Sequence, residues 1–215
     1  MDTPFTLDIW SDVICPFCYL GAKNLDQAVA RFEHRGQVVI RHRAFELDPR
    51  AVTTGLPLDE LVAKKYSMPI EQAKVLHQRL EAQAATLGLT WSLTSAQPTN
   101  TFDAHRLIAL ASQQGLADQM SDRLFGAYFS EGSLISDRTV LSTLASEIGV
   151  TNVDDLWLAN ALADDVRADE HEALERGISG VPSILVDGRF MIVGAQSVEQ
   201  MTDVLARAWA RRVTP

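Results

Sequence analysis

Cys15 and Cys18 are the only cysteines in this chain of 215 residues, and they lie in the run Cys15-Pro16-Phe17-Cys18. The apolar residues 5–10 before them predict a strand, and the residues after them predict a helix. A helix N-terminus carries about half a unit of positive charge, which favours the thiolate that acts as the nucleophile in thiol chemistry. We therefore predict a redox-active dithiol in which Cys15 attacks a disulfide. Cys18, one helical turn along, then resolves the mixed disulfide.

Pro16 suits the first position of that helix, because the N–H it lacks has no partner there and its φ is already helical. Two other uses of the cysteine pair stay open on these residues: a pair of buried structural cysteines, or half of a zinc site. Zinc needs further Cys or His ligands at similar spacing, and the five histidines are scattered without such pairing. We therefore predict that no metal is bound.

The composition is that of an acidic globular protein. Hydrophobic residues make up 47% and charged residues 22% of the chain, which argues against extensive disorder. Asp and Glu number 28 against 19 Lys and Arg, which leaves a net charge of −9. Because nucleic-acid affinity depends on neutralising phosphates, we expect no nucleic-acid partner. The same charge gives no reason to expect an anionic membrane surface as a partner.

The first residues, Met1-Asp2-Thr3-Pro4-Phe5, lead almost at once into the first predicted strand. They lack the basic and long apolar regions of a secretory signal, and no run in the chain has the length needed to span a bilayer. We therefore expect a cytoplasmic protein, although a trimmed signal peptide would leave the same sequence. Thiols are kept reduced in the cytosol, so a lone cysteine pair there is more often catalytic than a permanent cross-link.

Strand and helix patterns fall into three blocks along the chain. The first block predicts a strand at 5–10, a helix at 19–32 and a strand at 38–45. The last block predicts strands at 182–186 and 190–193 around Asp187-Gly188-Arg189, a strong hairpin signal, and then an amphipathic helix at 197–212. The middle block predicts helices alone, at residues 58–66, 69–87, 101–114, 116–129, 137–148 and 153–175.

This order of elements predicts a mixed α/β fold. Strand–helix–strand at one end of the chain and strand–strand–helix at the other are the two halves of a thioredoxin fold. We predict that fold with a large all-helical insertion. The discontinuous thioredoxin-like domain would comprise residues 1–50 and 176–215, and the inserted helical domain residues 51–175.

Two motifs resemble the DsbA-like branch of the thioredoxin superfamily: Cys15-Pro16-Phe17-Cys18, and Gly180-Val181-Pro182-Ser183 ahead of the hairpin. More narrowly, residues 11–21, 100–107 and 194–197 resemble the FrnE-type group, described as polyketide-biosynthesis dithiol–disulfide isomerases. The resemblance covers nearly the whole chain, including the helical insertion. It implies a thiol–disulfide oxidoreductase or isomerase with Cys15, Cys18 and Pro182 as catalytic residues.

The resemblance also implies that Val181-Pro182 forms a cis-proline loop against the disulfide. A cis peptide bond is found essentially only before proline. The Val181 backbone would then pair with an extended substrate chain, and Pro16 and Phe17 would be further substrate-binding residues. The alternative from the sequence alone is a trans-proline that begins an edge strand.

Phe17 marks a departure from secreted DsbA proteins, which carry Pro-His between the cysteines. Without a ring that can donate a hydrogen bond to the thiolate, the pKa of Cys15 should be higher and the disulfide less oxidising. We therefore predict a potential more reducing than the DsbA value of about −120 mV, nearer the range of isomerases or glutaredoxins.

Other residues near the pair have two interpretations each. Asp8 resembles the buried acid that accepts the proton of the second cysteine, or it is a surface acid or a group that sets the strand register. His105 either reaches the cleft from an apolar helix face or is a core histidine. Four aromatic residues form either an apolar rim for a substrate or part of the core: Trp10, Phe17, Tyr19 and Phe45.

Two functions compete on the sequence. The first is the oxidoreductase, which acts on protein or small-molecule disulfides. With two cysteines it has no internal shuttle pair, so electrons come from an external dithiol or from glutathione as redox co-substrate, and no cofactor stays bound. The second is a glutathione-dependent transferase or isomerase. Kappa-class glutathione transferases and 2-hydroxychromene-2-carboxylate isomerases resemble this architecture, but they carry serine at the position of Cys15. A third interpretation, a scaffold or holdase, has no specific support in the sequence.

Overall fold

The computed structural model describes residues 4–53 and 55–213. Contacts divide the chain into two compact units, Met1–Leu47 with Asp164–Pro215, here called the sheet unit, and Asp48–Ala163, here called the helical unit. In chain order the elements are β1 (Phe5–Ser11), α1 (Pro16–Arg31), β2 (Val38–Ala44), α2 (Leu58–Lys65), α3 (Ile70–Thr86), α4 (Phe102–Gln113), α5 (Ala117–Phe129), α6 (Arg138–Glu147), α7 (Val153–Leu158), α8 (Ala163–Glu175), β3 (Ser183–Val186), β4 (Phe190–Val193) and α9 (Val198–Val213).

The four strands form one sheet in the order β2-β1-β3-β4. β1 and β2 are parallel and are joined through α1, whereas β3 runs antiparallel to both β1 and β4. The predicted hairpin is confirmed: Asp187 and Gly188 have positive φ angles of 51° and 67°. The N–H of Arg189 donates to the carbonyl of Val186 at 3.0 Å and closes the turn. Asp-Gly favours such a turn because both central residues need a positive φ.

One face of the sheet is covered by α1 and α9. Alternate residues of β1 point to this face, as the two-residue period of a strand requires. They pack against Leu25, Ala28 and Phe32 from the first helix and its end, and against Met201, Leu205 and Ala208 from the last. The members from β1 are Phe5, Leu7 and, partly buried, Ile9. The predicted apolar side of the last helix is therefore confirmed.

The opposite face of the sheet is covered by α8. Trp10 and Leu185 from β1 and β3 pack there against Ala173 and Ile178. The indole N–H of Trp10 also donates to the carbonyl of Asp169 at 3.0 Å. These contacts hold α8 to the sheet.

The C-terminal boundary predicted for the helical insertion at residue 175 therefore differs from the structure. Residues 164–175 belong by their contacts to the sheet unit, so the insertion ends at Ala163. The amphipathic pattern of α8 indicates that the helix buries one face, but it does not identify the element against which that face packs. In the structure Ala173 of α8 packs against Trp10 of β1, so the buried face of α8 lies on the sheet.

The helical unit contains α2 to α7 and a fully buried arginine. Arg106 donates from Nε to the carbonyl of Ala161 at 2.9 Å, from Nη2 to the carbonyl of Leu156 at 2.5 Å, and from Nη1 to Asp103 Oδ1 at 2.5 Å. At the start of α4, Asn100 Oδ1 accepts the N–H of Phe102 at 2.9 Å, and the helix begins one residue later than the sequence predicted. No helix among residues 4–53 and 55–213 has the length and apolar character to cross a membrane.

Candidate active site

Cys15 is the N-cap residue of α1, and Pro16 occupies the first turn of that helix. The backbone of Cys15 is extended (φ −91°, ψ 115°), as an N-cap requires. Its carbonyl accepts the N–H groups of Cys18 and Tyr19 at 3.0 and 3.3 Å. The Cys15 side chain therefore stands where unpaired backbone N–H groups and the positive end of the helix favour an anion.

The two cysteines approach each other to 3.5 Å, and both are free thiols. Cys15 is 5% exposed and Cys18 is 2% exposed. A hydrogen bond from the Cys18 thiol lowers the pKa of Cys15, and backbone hydrogen bonds from Cys18 and Phe17 act in the same direction. Burial and the neighbouring Cys15 raise the pKa of Cys18 well above its ordinary value. The pair is thus asymmetric, with a thiolate favoured on Cys15 and a thiol on Cys18.

The loop before β3 lies against Cys15. The peptide bond between Val181 and Pro182 is cis. Cys15 Sγ lies 3.7 Å from the carbonyl oxygen of Val181. The loop is held by its own hydrogen bonds: the N–H of Gly194 donates to the carbonyl of Pro182 at 2.8 Å, and the hydroxyl of Ser183 donates to the carbonyl of Gly180 at 2.9 Å. Cys15, Val181 and Pro182 are therefore brought together from the two ends of the chain.

Asp12, in the turn between β1 and α1, is a site residue that the sequence did not single out. Its side chain is 0% exposed. Oδ2 accepts the N–H of Leu47 at 2.7 Å, and the Asp12 carbonyl accepts the N–H of Cys15 at 3.0 Å. The negative charge of Asp12 acts to raise the pKa of both cysteines. In the sequence it reads as a polar turn residue before a helix, which gives no sign of its burial.

Asp8, the predicted proton acceptor, lies elsewhere. It shares a face of β1 with Trp10, opposite the face that α1 covers. Its Oδ1 accepts hydrogen bonds from Nε and Nη2 of Arg43 at 3.0 and 2.9 Å. Arg43 in turn pairs with Asp169 of α8. This placement favours the alternative of a structural acid on the sheet over the predicted role in deprotonating Cys18.

The remaining predicted residues divide between surface and core. Phe17 is 47% exposed beside Cys18, so its ring is available to a substrate. Trp10 and Tyr19 are buried, and Phe45 packs against the cluster of Trp10. Of the aromatic rim suggested by the sequence, only Phe17 among these residues is exposed. His105 is buried on α4, as a core histidine would be.

The dithiol has no metal-ligating neighbourhood in the part of the chain that the structure describes. No group of three or more His, Cys, Asp or Glu side chains is arranged there to hold a metal ion. The groups described at the site are a helix N-terminus, a second thiol, a cis-proline loop and the buried carboxyl group of Asp12.

Comparison with solved structures gives the same architecture. The crystal structure of a probable DsbA oxidoreductase from Streptomyces coelicolor is 37% identical in sequence; the match covers 98% of this chain and 92% of that protein, with a TM-score of 0.92. The fold also matches a 2-hydroxychromene-2-carboxylate isomerase at 18% identity, over 96% of this chain and 97% of that one, with a TM-score of 0.70. The cytosolic disulfide reductase DsbM from Pseudomonas aeruginosa, solved with glutathione, matches at 20% identity over 97% of this chain and 98% of that one, with a TM-score of 0.58.

The family comparison covers almost the whole sequence. Residues 6–206 match the DSBA-like thioredoxin domain, so the match includes the sheet unit and the helical insertion alike. The predicted fold class is confirmed by this match and by the Streptomyces structure. The chain therefore belongs to the DSBA-like thioredoxin domain family.

Proposed function

We propose that this protein is a thiol–disulfide oxidoreductase or isomerase in which Cys15 attacks and Cys18 resolves. The observation that carries the proposal is the placement of Cys15 at the N-cap of α1, with Cys18 at 3.5 Å and the Val181 carbonyl at 3.7 Å. The lowered pKa of Cys15 and the raised pKa of Cys18 support these two roles. The thiolate is the reactive form, so the more acidic cysteine is the attacking one.

The proposed reaction has two exchange steps. The Cys15 thiolate forms a bond to one sulfur of the substrate disulfide, the substrate S–S bond breaks, and one substrate thiolate leaves. Cys18 then loses its proton and attacks Cys15, forming the Cys15–Cys18 disulfide and releasing the second substrate thiolate. Two electrons pass to the substrate. An external dithiol or two molecules of glutathione restore the reduced pair, and the reverse sequence oxidises a dithiol.

We assign substrate contacts to the groups that border Cys15. A chain extended along the loop would pair with the backbone of Val181, as strand addition at an exposed backbone does. Phe17 is exposed and would contact apolar parts of the substrate, with Pro16 beside it. Protein disulfides and small-molecule disulfides both fit this description.

Glutathione is our proposed redox co-substrate, and we place the protein in the cytoplasm. A structural neighbour of this chain is named as a cytosolic disulfide reductase and was solved with glutathione. Cys15 and Cys18 are the only cysteines, so the protein has no internal shuttle pair and needs an external reductant such as glutathione. Within the family we propose the FrnE-type subgroup, on the motifs at residues 11–21, 100–107 and 194–197.

The proposal is tested by trapping the intermediate. In Cys18→Ser the resolving thiol is missing, so incubation with glutathione disulfide should add one glutathione to Cys15, seen by intact mass and removed by dithiothreitol. Cys15→Ser should form no such adduct and should lose insulin reduction, because the attacking thiol is missing. Unchanged insulin reduction in Cys15→Ser would refute the proposal.

The alternative function gives a different result with the same two variants. A glutathione-dependent transferase or isomerase activates the glutathione thiol and does not need either cysteine as a nucleophile. Conjugation of glutathione to an electrophile such as chlorodinitrobenzene that persists in both variants would favour that alternative. The match to a 2-hydroxychromene-2-carboxylate isomerase fold is the reason to run this assay.

A further inference from the structure

Asp12 combines features that a turn residue does not need. It lies three residues before Cys15 and is 0% exposed. Its Oδ2 accepts the Leu47 N–H at 2.7 Å, and its Oδ1 lies 3.5 Å from the N–H of Ile14. Its carbonyl accepts the N–H of Cys15 at 3.0 Å, which joins the residue directly to the N-cap of α1. A carboxyl group is therefore buried in the turn that ends at Cys15.

The local geometry by itself does not require that charge. Asparagine forms the same turns as aspartate, and its amide oxygen accepts a backbone N–H in the same position. Burying an ionised group is far more costly than burying a neutral amide, even when it is hydrogen-bonded. A carboxylate at position 12 therefore points to a role for the charge, beyond the shape of the turn.

We propose that Asp12 is a positioning residue whose buried negative charge biases the dithiol toward the disulfide and so makes the reduced protein a stronger reductant. This inference rests on the proposed function of the Cys15–Cys18 pair. The N-terminus of α1 stabilises a thiolate on Cys15, and a disulfide carries no such charge. Asp12 opposes the thiolate and leaves the disulfide unaffected, so it offsets part of the helix effect.

The equilibrium concerned has balanced chemistry. The reduced protein reacts with one glutathione disulfide; the Cys15–Cys18 bond forms, the bond of glutathione disulfide breaks, and two molecules of glutathione are released. Stabilising the Cys15 thiolate shifts this equilibrium toward the reduced protein. DsbA is strongly oxidising because its reduced form is stabilised in this way. Asp12 acts in the opposite direction.

The test compares Asp12→Asn with Asp8→Asn in the full chain. Both replace a buried carboxylate by an amide and change the net charge equally, but Asp8 pairs with Arg43 on the other face of β1. For each reduced variant, thiolate absorbance at 240 nm is followed against pH, and the equilibrium with glutathione is measured by intact mass. In Asp12→Asn we expect Cys15 to become about tenfold more acidic. We also expect the equilibrium to move about tenfold toward the reduced form, or about 30 mV in potential.

Two further variants complete the experiment. Asp12→Glu keeps the charge and should restore most of the wild-type acidity of Cys15, which a purely structural role would not predict. Asp12→Ser is a second neutral variant, in case the asparagine variant does not fold, and it should shift both quantities in the same direction.

Three outcomes would overturn the proposal: no shift in Asp12→Asn beyond that in Asp8→Asn, a shift toward a less acidic Cys15, or failure of both neutral variants to fold. The last would assign Asp12 a structural role alone. Cys15 acidity is measured without any substrate. A wild-type protein that does not exchange with disulfides would refute the proposed function, and the acidity measurement would still decide the electrostatic effect of Asp12.

Discussion

Gly21 lies so close to Pro182 that a Cβ on residue 21 would come within 3.1 Å of Pro182 Cγ, and within 3.7 Å of the Ala195 Cβ. Gly21 is on α1, three residues after Cys18. The helix that contains Cys18 and begins after Cys15 therefore rests directly on the loop that faces Cys15. A side chain at this position would separate the two.

Gly21→Ala is expected to disturb this contact. Alanine normally stabilises a helix relative to glycine by about 0.5–1 kcal/mol. Here the added methyl group meets Pro182, and overpacking of this kind costs about 1–3 kcal/mol. We expect a lower free energy of unfolding in urea and slower attack of Cys15 on a disulfide, because the Val181 carbonyl moves away from it.

Gly126→Ala is the matched control for this change. Gly126 is within α5, and a Cβ there would meet nothing within 4 Å. This variant should gain about 0.5–1 kcal/mol of stability and keep the wild-type exchange rate. Equal behaviour of the two alanine variants would show that the contact with Pro182 is not limiting.

Phe17→His tests the origin of the redox potential. Phe17 is 47% exposed, so a histidine fits without repacking of the core. A ring N–H next to Cys15 would stabilise the thiolate and the reduced form. We expect the potential in glutathione buffer to rise by about 30 mV or more, a tenfold change in the equilibrium constant. Phe17→Leu, which has no donor, should stay near the wild-type value, and a wild-type potential at or above that of secreted DsbA would contradict the prediction.

The alkylation of the reduced protein should depend on pH in a defined direction. The pKa of Cys15 is lowered by the hydrogen bond from Cys18, so its thiolate fraction and its rate with iodoacetamide should rise with pH through a midpoint below that of an ordinary thiol. The pKa of Cys18 is raised well above its ordinary value, so Cys18 should remain unmodified over the same range. Peptide mapping by mass spectrometry identifies the labelled residue.

Cys18→Ala provides the control for that titration. The hydrogen bond from Cys18 is the largest cause of the lowered Cys15 pKa, so its removal should move the midpoint upward. A midpoint that stays in place, or preferential labelling of Cys18 in the wild type, would contradict the assignment of the two thiols.

Asp169→Ala should destabilise the sheet unit. Asp169 Oδ1 accepts a hydrogen bond from Nη1 of Arg43 at 2.9 Å, and Oδ2 accepts one from the N–H of Ala44 at 3.0 Å. In the alanine variant the partly buried N–H of Ala44 loses its acceptor, and Arg43 loses one of its carboxylate partners. We expect the free energy of unfolding to fall by about 1–3 kcal/mol. The free energy of unfolding in urea measures the effect. Asp203→Ala, at an exposed position of α9, should change it by less than about 0.5 kcal/mol.

Residue types and their spacing were enough to predict the dithiol and the elements next to it. An apolar strand followed by Cys15-Pro16-Phe17-Cys18 predicts a thiol at a helix N-terminus, since within a helix Pro16 is compatible only with the first turn. Asp187-Gly188 predicted the hairpin because few residues adopt the positive φ angles of that turn. These are local properties, decided by residues that are neighbours in the chain.

Three-dimensional packing was needed to distinguish the environments of the two buried acids, Asp8 and Asp12. β1 buries apolar side chains on both faces, with Leu7 on one and Trp10 on the other, so its pattern does not show which face α1 covers. That choice places Asp8 beside Arg43, and the turn that ends at Cys15 buries Asp12. The contact of Cys15 with Val181 likewise joins residues 166 positions apart. Such pairings depend on how helices pack on a sheet, which residue types and spacing leave undetermined.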